Sequence, residues 1–154
     1  MPVDLEQLTR RFVLCYTGKP RQSGINNWQV MKQMLDGNRS VHDKLSRIAA
    51  VSRDMKQALL RGDMEAVARR FDAEWQARKA LAPAISTPEM DRLIAAARKQ
   101  GALAAKVCGA GGGGCVAFIV RVGAKERVSA ELKKLGGKVL DFKFVKQGLR
   151  VRES

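Results

Sequence analysis

A chain of 154 residues with 45% hydrophobic content is one domain's worth and can bury a core. It has no stretch near the roughly 18 apolar residues that cross a bilayer, so a soluble globular chain is the expectation. Lys and Arg number 29 against 15 Asp and Glu, and the resulting +14 draws anions: nucleic acid, anionic lipid, phosphorylated metabolites or an acidic protein. The opening Met1-Pro2-Val3-Asp4-Leu5-Glu6-Gln7 fits neither a secretory signal nor a basic transit peptide, so the cytoplasm is the expected compartment.

In chain order, residues 11–17 (Arg-Phe-Val-Leu-Cys-Tyr-Thr) predict a strand that stops at Gly18 and Pro20. A turn, Gly18-Lys19-Pro20-Arg21-Gln22-Ser23-Gly24, follows, and from Asn26 the pattern becomes helical, with Trp28, Met31 and Leu35 on one apolar face and Gly37 as a stop. Ser40, with Asp43 three residues on, predicts the cap of a second helix whose apolar face is Val41, Leu45, Ile48, Met55 and Leu59. Gly62 breaks it and Asp63 caps the next, where Val67, Phe71 and Trp75 form a core stripe, while Glu65, Asp72 and Glu74 are expected on solvated faces. After Pro83, Ser86-Thr87-Pro88-Glu89 starts a helix that Gly101 closes.

Residues 102–108 and 115–122 then read as strands joined by a glycine-rich hairpin loop, followed by a helix over 124–135 and a half-buried strand over 138–145. With the additional helices after the first strand set aside, this is the βαββαβ order of an α+β, ferredoxin-like sandwich. The three cysteines, Cys15, Cys108 and Cys115, have neither metal-hook nor disulfide spacing and read as buried thiols.

The loop Gly109-Ala110-Gly111-Gly112-Gly113-Gly114 carries the most information, because five glycines in six residues permit positive φ and close approach by another backbone or a ligand. A strand follows it, with no Lys-Ser/Thr and no helix, so it is neither a P-loop nor a dinucleotide fingerprint. Close approach by a ligand or a second domain is the expectation. Lys106, at the end of the entering strand, can reach a phosphate or carboxylate, and Lys19, Arg21, Ser23, Asn26 and Asn27 form a polar turn suited to a sugar or phosphate. His42, the lone histidine, has no paired nucleophile, and no acid cluster has a metal-ligand pattern. The chain offers binding groups without a catalytic set, and no metal site.

Lys106-Val107-Cys108-Gly109-Ala110-Gly111-Gly112-Gly113-Gly114 resembles the third motif of the GHMP kinases, the family of galactokinase, homoserine kinase and mevalonate kinase. Further similarity lies in Tyr16-Thr17-Gly18-Lys19-Pro20-Arg21-Gln22-Ser23-Gly24, Asn26-Asn27-Trp28 and Ser86-Thr87-Pro88-Glu89-Met90-Asp91. It points to the branch of sugar kinases that includes D-glycero-D-manno-heptose 7-phosphate kinase. The family's ATP loop, a Pro-x-x-x-Gly-x-x-Ser-Ser-Ala-type segment, and its acidic catalytic residue belong to an N-terminal domain with no counterpart here.

The resemblance therefore implies that residues 1–154 are a GHMP C-terminal domain, the substrate-side part of an ATP-dependent sugar or sugar-phosphate kinase. ATP and Mg would be bound mainly by the N-terminal domain, its expected partner. Gly109, Ala110, Gly111, Gly112 and Gly113 would line the cleft, with Lys106 at the loop's base. Lys19, Arg21 and Ser23 would contact substrate or phosphate. The chain alone is expected to be inactive. The alternative is a basic ferredoxin-like nucleic-acid-binding or regulatory module. Recognition of RNA by such a sheet needs stacking aromatics, and the two central strands offer only Phe118.

Overall fold

Four of the helices begin where the sequence supplies an acceptor for their free N–H groups. Asp4 accepts from Glu6 and Gln7 (both 2.9 Å) at the start of α1 (Leu5–Arg11), and β1 (Phe12–Tyr16) follows directly. After α2 (Ser23–Leu35), Asn38 accepts from Val41 (3.2 Å) and opens α3 (Arg39–Leu60). Asp63 caps α4 (Met64–Lys79) through Ala66 (2.9 Å). Thr87 caps α5 (Pro88–Lys99), with the proline in the first turn where no N–H is needed. Then come β2 (Ala102–Val107), β3 (Cys115–Val120), α6 (Lys125–Lys134) and β4 (Lys138–Leu140). The computed structural model describes residues 3–21, 23–149 and 151, and not the side chains of Ser23 and Ile25.

The four strands form one sheet in the order β2-β3-β1-β4, and every neighbouring pair is antiparallel. That is the expected ferredoxin-like arrangement, with α2, α3 and α4 added between β1 and α5. The two-residue period of a strand divides the sheet into two faces. Val13, Cys15, Val116, Phe118 and Val120 join Met90, Leu93 and Ala97 of α5 and Val128 and Leu132 of α6 in the larger core. On the other face, Ala104 and Ile119 meet Leu8 of α1, Ala58 of α3, and Met64, Val67 and Ala68 of α4. A register shift between Ala102 and Ala104 marks a bulge, which lets Ala102, Ala105 and Val107 share the larger core.

Several expectations change. α1 is an unanticipated element, and α3 is capped by Asn38 rather than Ser40. α2 starts at Ser23, inside the expected turn, whose Gln22 lies outside the described residues. The last strand ends at Leu140 instead of 145. Beyond it the chain leaves the ladder, and the Phe142 and Phe144 rings pack edge-on at 5.4 Å, with Phe144 at 5.3 Å from Phe12. The predicted core face of α2 is also reversed: Trp28, Met31 and Leu35 are exposed.

Phe118 is fully buried at the centre of the sheet. Phe118→Ala should lower the unfolding free energy by about 3–5 kcal/mol, read as a lower urea midpoint with an unchanged slope.

Candidate functional site

The hairpin loop between β2 and β3 folds back onto two distant segments of its own chain. Gly112 N–H donates to the Ile85 carbonyl (3.1 Å), Gly114 N–H donates to the Lys19 carbonyl (2.9 Å), and Gly114 C=O accepts from Thr17 N–H (2.9 Å). At Gly111 (φ +81°) an added Cβ would stand 2.3 Å from the Ile85 oxygen; at Gly113 (φ +136°) it would stand 2.3 Å from the Pro20 oxygen. Glycine is therefore required there for conformation and for space. Sequence alone assigns the close approach to a ligand or a second domain, whereas at these positions the approaching groups are the chain's own carbonyls.

The loop's anchorage leaves one set of donors unused. Among the described residues, the N–H groups of Gly109, Ala110, Gly111 and Gly113 meet no acceptor. Amides left without an acceptor are available as donors to an anionic ligand. The Arg21 guanidinium lies against the start of this loop, since a Cβ on Gly109 would sit 2.9 Å from its Nη1. Arg21 is exposed, and no carboxylate among the described residues lies within ion-pair distance of it.

Lys19 occupies the same turn, but its ammonium pairs with Glu89 at the start of α5. That hydrogen bond, with one from a backbone N–H, holds the Glu89 carboxyl at about 2, well below its ordinary 4.5. Ser23 heads α2, and its side chain lies outside the described residues. Asn26, which is 2% exposed, donates its amide to the Ala84 carbonyl (3.2 Å) and faces that of Ala110 at 3.5 Å. It fastens α2 to the loop, a role the sequence signals only as a polar residue in the turn.

Lys106 is not brought into this group. Its ammonium lies 2.7 Å from Oε2 of Glu74, a charge contact outside hydrogen-bond angles, and 6.0 Å from the centre of the Phe71 ring. Arg78 Nε donates to Glu74 Oε1 at 2.7 Å. Glu74 is thus a buried carboxylate held by two cations, not the solvated acid the sequence suggests. The reason is partnership: a buried charge persists only when paired. Glu65 and Asp72, by contrast, pair near the surface with Arg11 and Arg98.

Cys15, Cys108 and Cys115 are free thiols. Burial foremost, with Cys115 nearby, pushes Cys15 up to about 11 and raises Cys108 as well, so neither is a ready nucleophile. Phe118 has no exposed surface, so β2 and β3 present no ring on which a base could stack.

The geometry agrees with what the chain is similar to. The model of the family described as GHMP kinases C terminal matches residues 55–138. D-glycero-alpha-D-manno-heptose 7-phosphate kinase of Campylobacter jejuni is 29% identical over 147 residues, covering 94% of this chain and 42% of that protein. The chain thus spans about two fifths of that relative's length. Among solved structures, a Lin0012 protein from Listeria innocua superposes with a TM-score of 0.78 at 24% identity, covering 85% of this chain and 38% of that one. A D-glycero-D-manno-heptose 1-phosphate kinase from Bacteroides thetaiotaomicron gives 0.62 at 26% identity, covering 99% and 40%.

Two substitutions separate backbone conformation from close approach. Gly123 has φ +72° with open space around it, while Gly111 faces the Ile85 carbonyl. Gly123→Ala should cost about 1–2 kcal/mol and Gly111→Ala about 3–5 kcal/mol in chemical denaturation; equal costs would show that the carbonyl contact is unimportant.

Proposed function

This chain belongs to the GHMP kinases through their C-terminal family, and on that premise we propose that residues 1–154 are the substrate-side domain of an ATP-dependent sugar or sugar-phosphate kinase. A substrate of the heptose 7-phosphate type fits the relatives best. The observation that supports the reading is the loop's set of amides with no acceptor, beside an Arg21 guanidinium that has no carboxylate partner among the described residues.

Phosphoryl transfer to a sugar hydroxyl asks the protein mainly to position two anionic reactants and offset the charge on the moving group. The amides of Gly109, Ala110, Gly111 and Gly113, with Arg21, provide fixed donors for phosphate oxygens on this side of the cleft. Ser23, at the start of α2, is assigned to substrate or phosphate contact as part of this proposal. Lys19 serves through Glu89, which ties the substrate turn to α5. Lys106, engaged by Glu74, steadies the strand that enters the loop instead of meeting the phosphate itself.

Glu89 is already committed to Lys19, and no group of three or more His, Cys, Asp or Glu among the described residues is placed to hold a metal. GHMP kinases are ATP-dependent, and this reading places the nucleotide, its metal and the catalytic acid on an N-terminal GHMP domain, with the chain inactive alone.

The test combines the 154-residue chain with the N-terminal segment of the Campylobacter relative and follows ADP release with D-glycero-D-manno-heptose 7-phosphate as acceptor. The combination should turn over and neither part alone should. Arg21→Ala should lower kcat/KM about 10- to 100-fold, as expected for losing a charged hydrogen-bond donor. Turnover by the isolated chain, or an Arg21→Ala variant as active as the parent, would contradict the proposal.

A further inference from the structure

The hairpin that carries the glycine loop sets two of the three cysteines face to face. Val107 pairs with Val116, so Cys108 and Cys115 are the next directly opposed residues, and Cys108 N–H donates to the Cys115 carbonyl (2.8 Å). Opposed residues of an antiparallel pair project to the same side of the sheet. Val107 and Val116 join the larger core, which puts the two cysteines on the other side. Both are free and half-buried. Cys108 also borders a groove lined by Phe12, Ala117 and Phe142, which gives a reagent access to it. Cys15 is fully buried with Val13 in the larger core, across the sheet from the pair. The spacing of Cys108 and Cys115 along the chain signals nothing by itself; the register of the strands brings them together.

We propose that Cys108 and Cys115 are a redox-active dithiol whose oxidised form is a cross-strand disulfide at the neck of the glycine loop. Directly opposed residues joined by a backbone hydrogen bond stand about 5.5 Å apart at Cα, inside the roughly 4.4–6.8 Å span of disulfides. Their Cβ atoms, about 4.5–5.5 Å apart in opposed pairs, must close to about 3.5–4.5 Å. Cys108 is the side free to move. Gly109 beside it (φ +79°) is exposed and its N–H meets no acceptor among the described residues, whereas Gly114 is held by Thr17 and Lys19. The closure leaves strain in the bond, and strained disulfides are the readily reduced ones. The proposal stands independently of the kinase reading.

The oxidant is a small disulfide, for which oxidised glutathione is the probe. Burial foremost, then the charge of Cys115, raises the Cys108 thiol, so Cys115 attacks first. Cys115 gives its proton to solvent, bonds to one glutathione sulfur and expels the other half as a thiolate, which takes up a proton. Cys108 then loses its proton, attacks Cys115 Sγ and expels the second glutathione. Two protein thiols thus become one disulfide while one oxidised glutathione becomes two reduced ones.

The experiment equilibrates the full chain with oxidised glutathione, quenches with acid, alkylates the unfolded chain with N-ethylmaleimide and digests it with trypsin. Cleavage after Lys106 and Arg121 leaves both cysteines on one peptide, residues 107–121, and Cys15 on another. The expected product is that single peptide, unalkylated and lighter by two hydrogen atoms, with Cys15 alkylated. Excess reduced glutathione should then cut the disulfide fraction about tenfold or more. Cys108→Ser should instead keep glutathione on Cys115, because the thiol that displaces it is gone. Alkylation of all three cysteines, a lasting glutathione adduct on the parent, or a link to Cys15 or to a second chain overturns the proposal. So does a disulfide that resists excess reduced glutathione.

Discussion

The fold and the site both depend on backbone meeting backbone at the glycine loop. The Ile85 and Pro20 carbonyls approach Gly111 and Gly113 where no side chain fits. Those contacts set the loop against the turn after β1 and the segment before α5, three stretches far apart in sequence. Once they are made, the loop cannot swing freely, and its remaining amides meet no acceptor among the described residues. The anion site proposed above rests on how the hairpin is anchored. The two carbonyl contacts consume the freedom that five glycines would otherwise give, while at the other end of the loop Arg21 Nη1 lies against Gly109 and Asn26 faces the Ala110 carbonyl.

Much of this was legible in the sequence where the signal is local. The strand order and the ferredoxin-like sheet follow from short apolar runs bounded by glycine and proline. Asp63 and Thr87 cap the helices they were expected to cap. Where geometry beyond the local chain decides, the sequence falls short. The period of Trp28, Met31 and Leu35 identifies an apolar face but not its direction, and the structure points it to water. Glycine density shows that something approaches closely, yet not that the visitor is the chain's own Ile85 and Pro20. α1 is short and runs directly into β1, so its Asp4 cap was its only clear mark.

Electrostatics separates the cations that residue type alone groups together. Lys106 and Lys19 each have a carboxylate partner, Glu74 and Glu89, tying β2 to α4 and the turn after β1 to α5. Glu74 sits four residues before Arg78 and 32 before Lys106, so its burial depends on a pairing made only by the folded chain. Arg21 alone of these positive groups stands over the glycine loop without a carboxylate among the described residues. The kinase reading therefore concentrates on one guanidinium and a handful of backbone amides. On the kinase reading, such a half-site binds and positions, and another domain completes the chemistry.

The most direct test of the account is a 15N–1H titration of the isolated chain with inorganic pyrophosphate. The amides of Gly109, Ala110, Gly111 and Gly113 should shift together and saturably, and Arg21→Ala should weaken the binding about tenfold or more, in line with a charged hydrogen bond. Shifts spread evenly over the basic surface, or loop amides that do not respond at all, would contradict the assignment of this loop as the anion site.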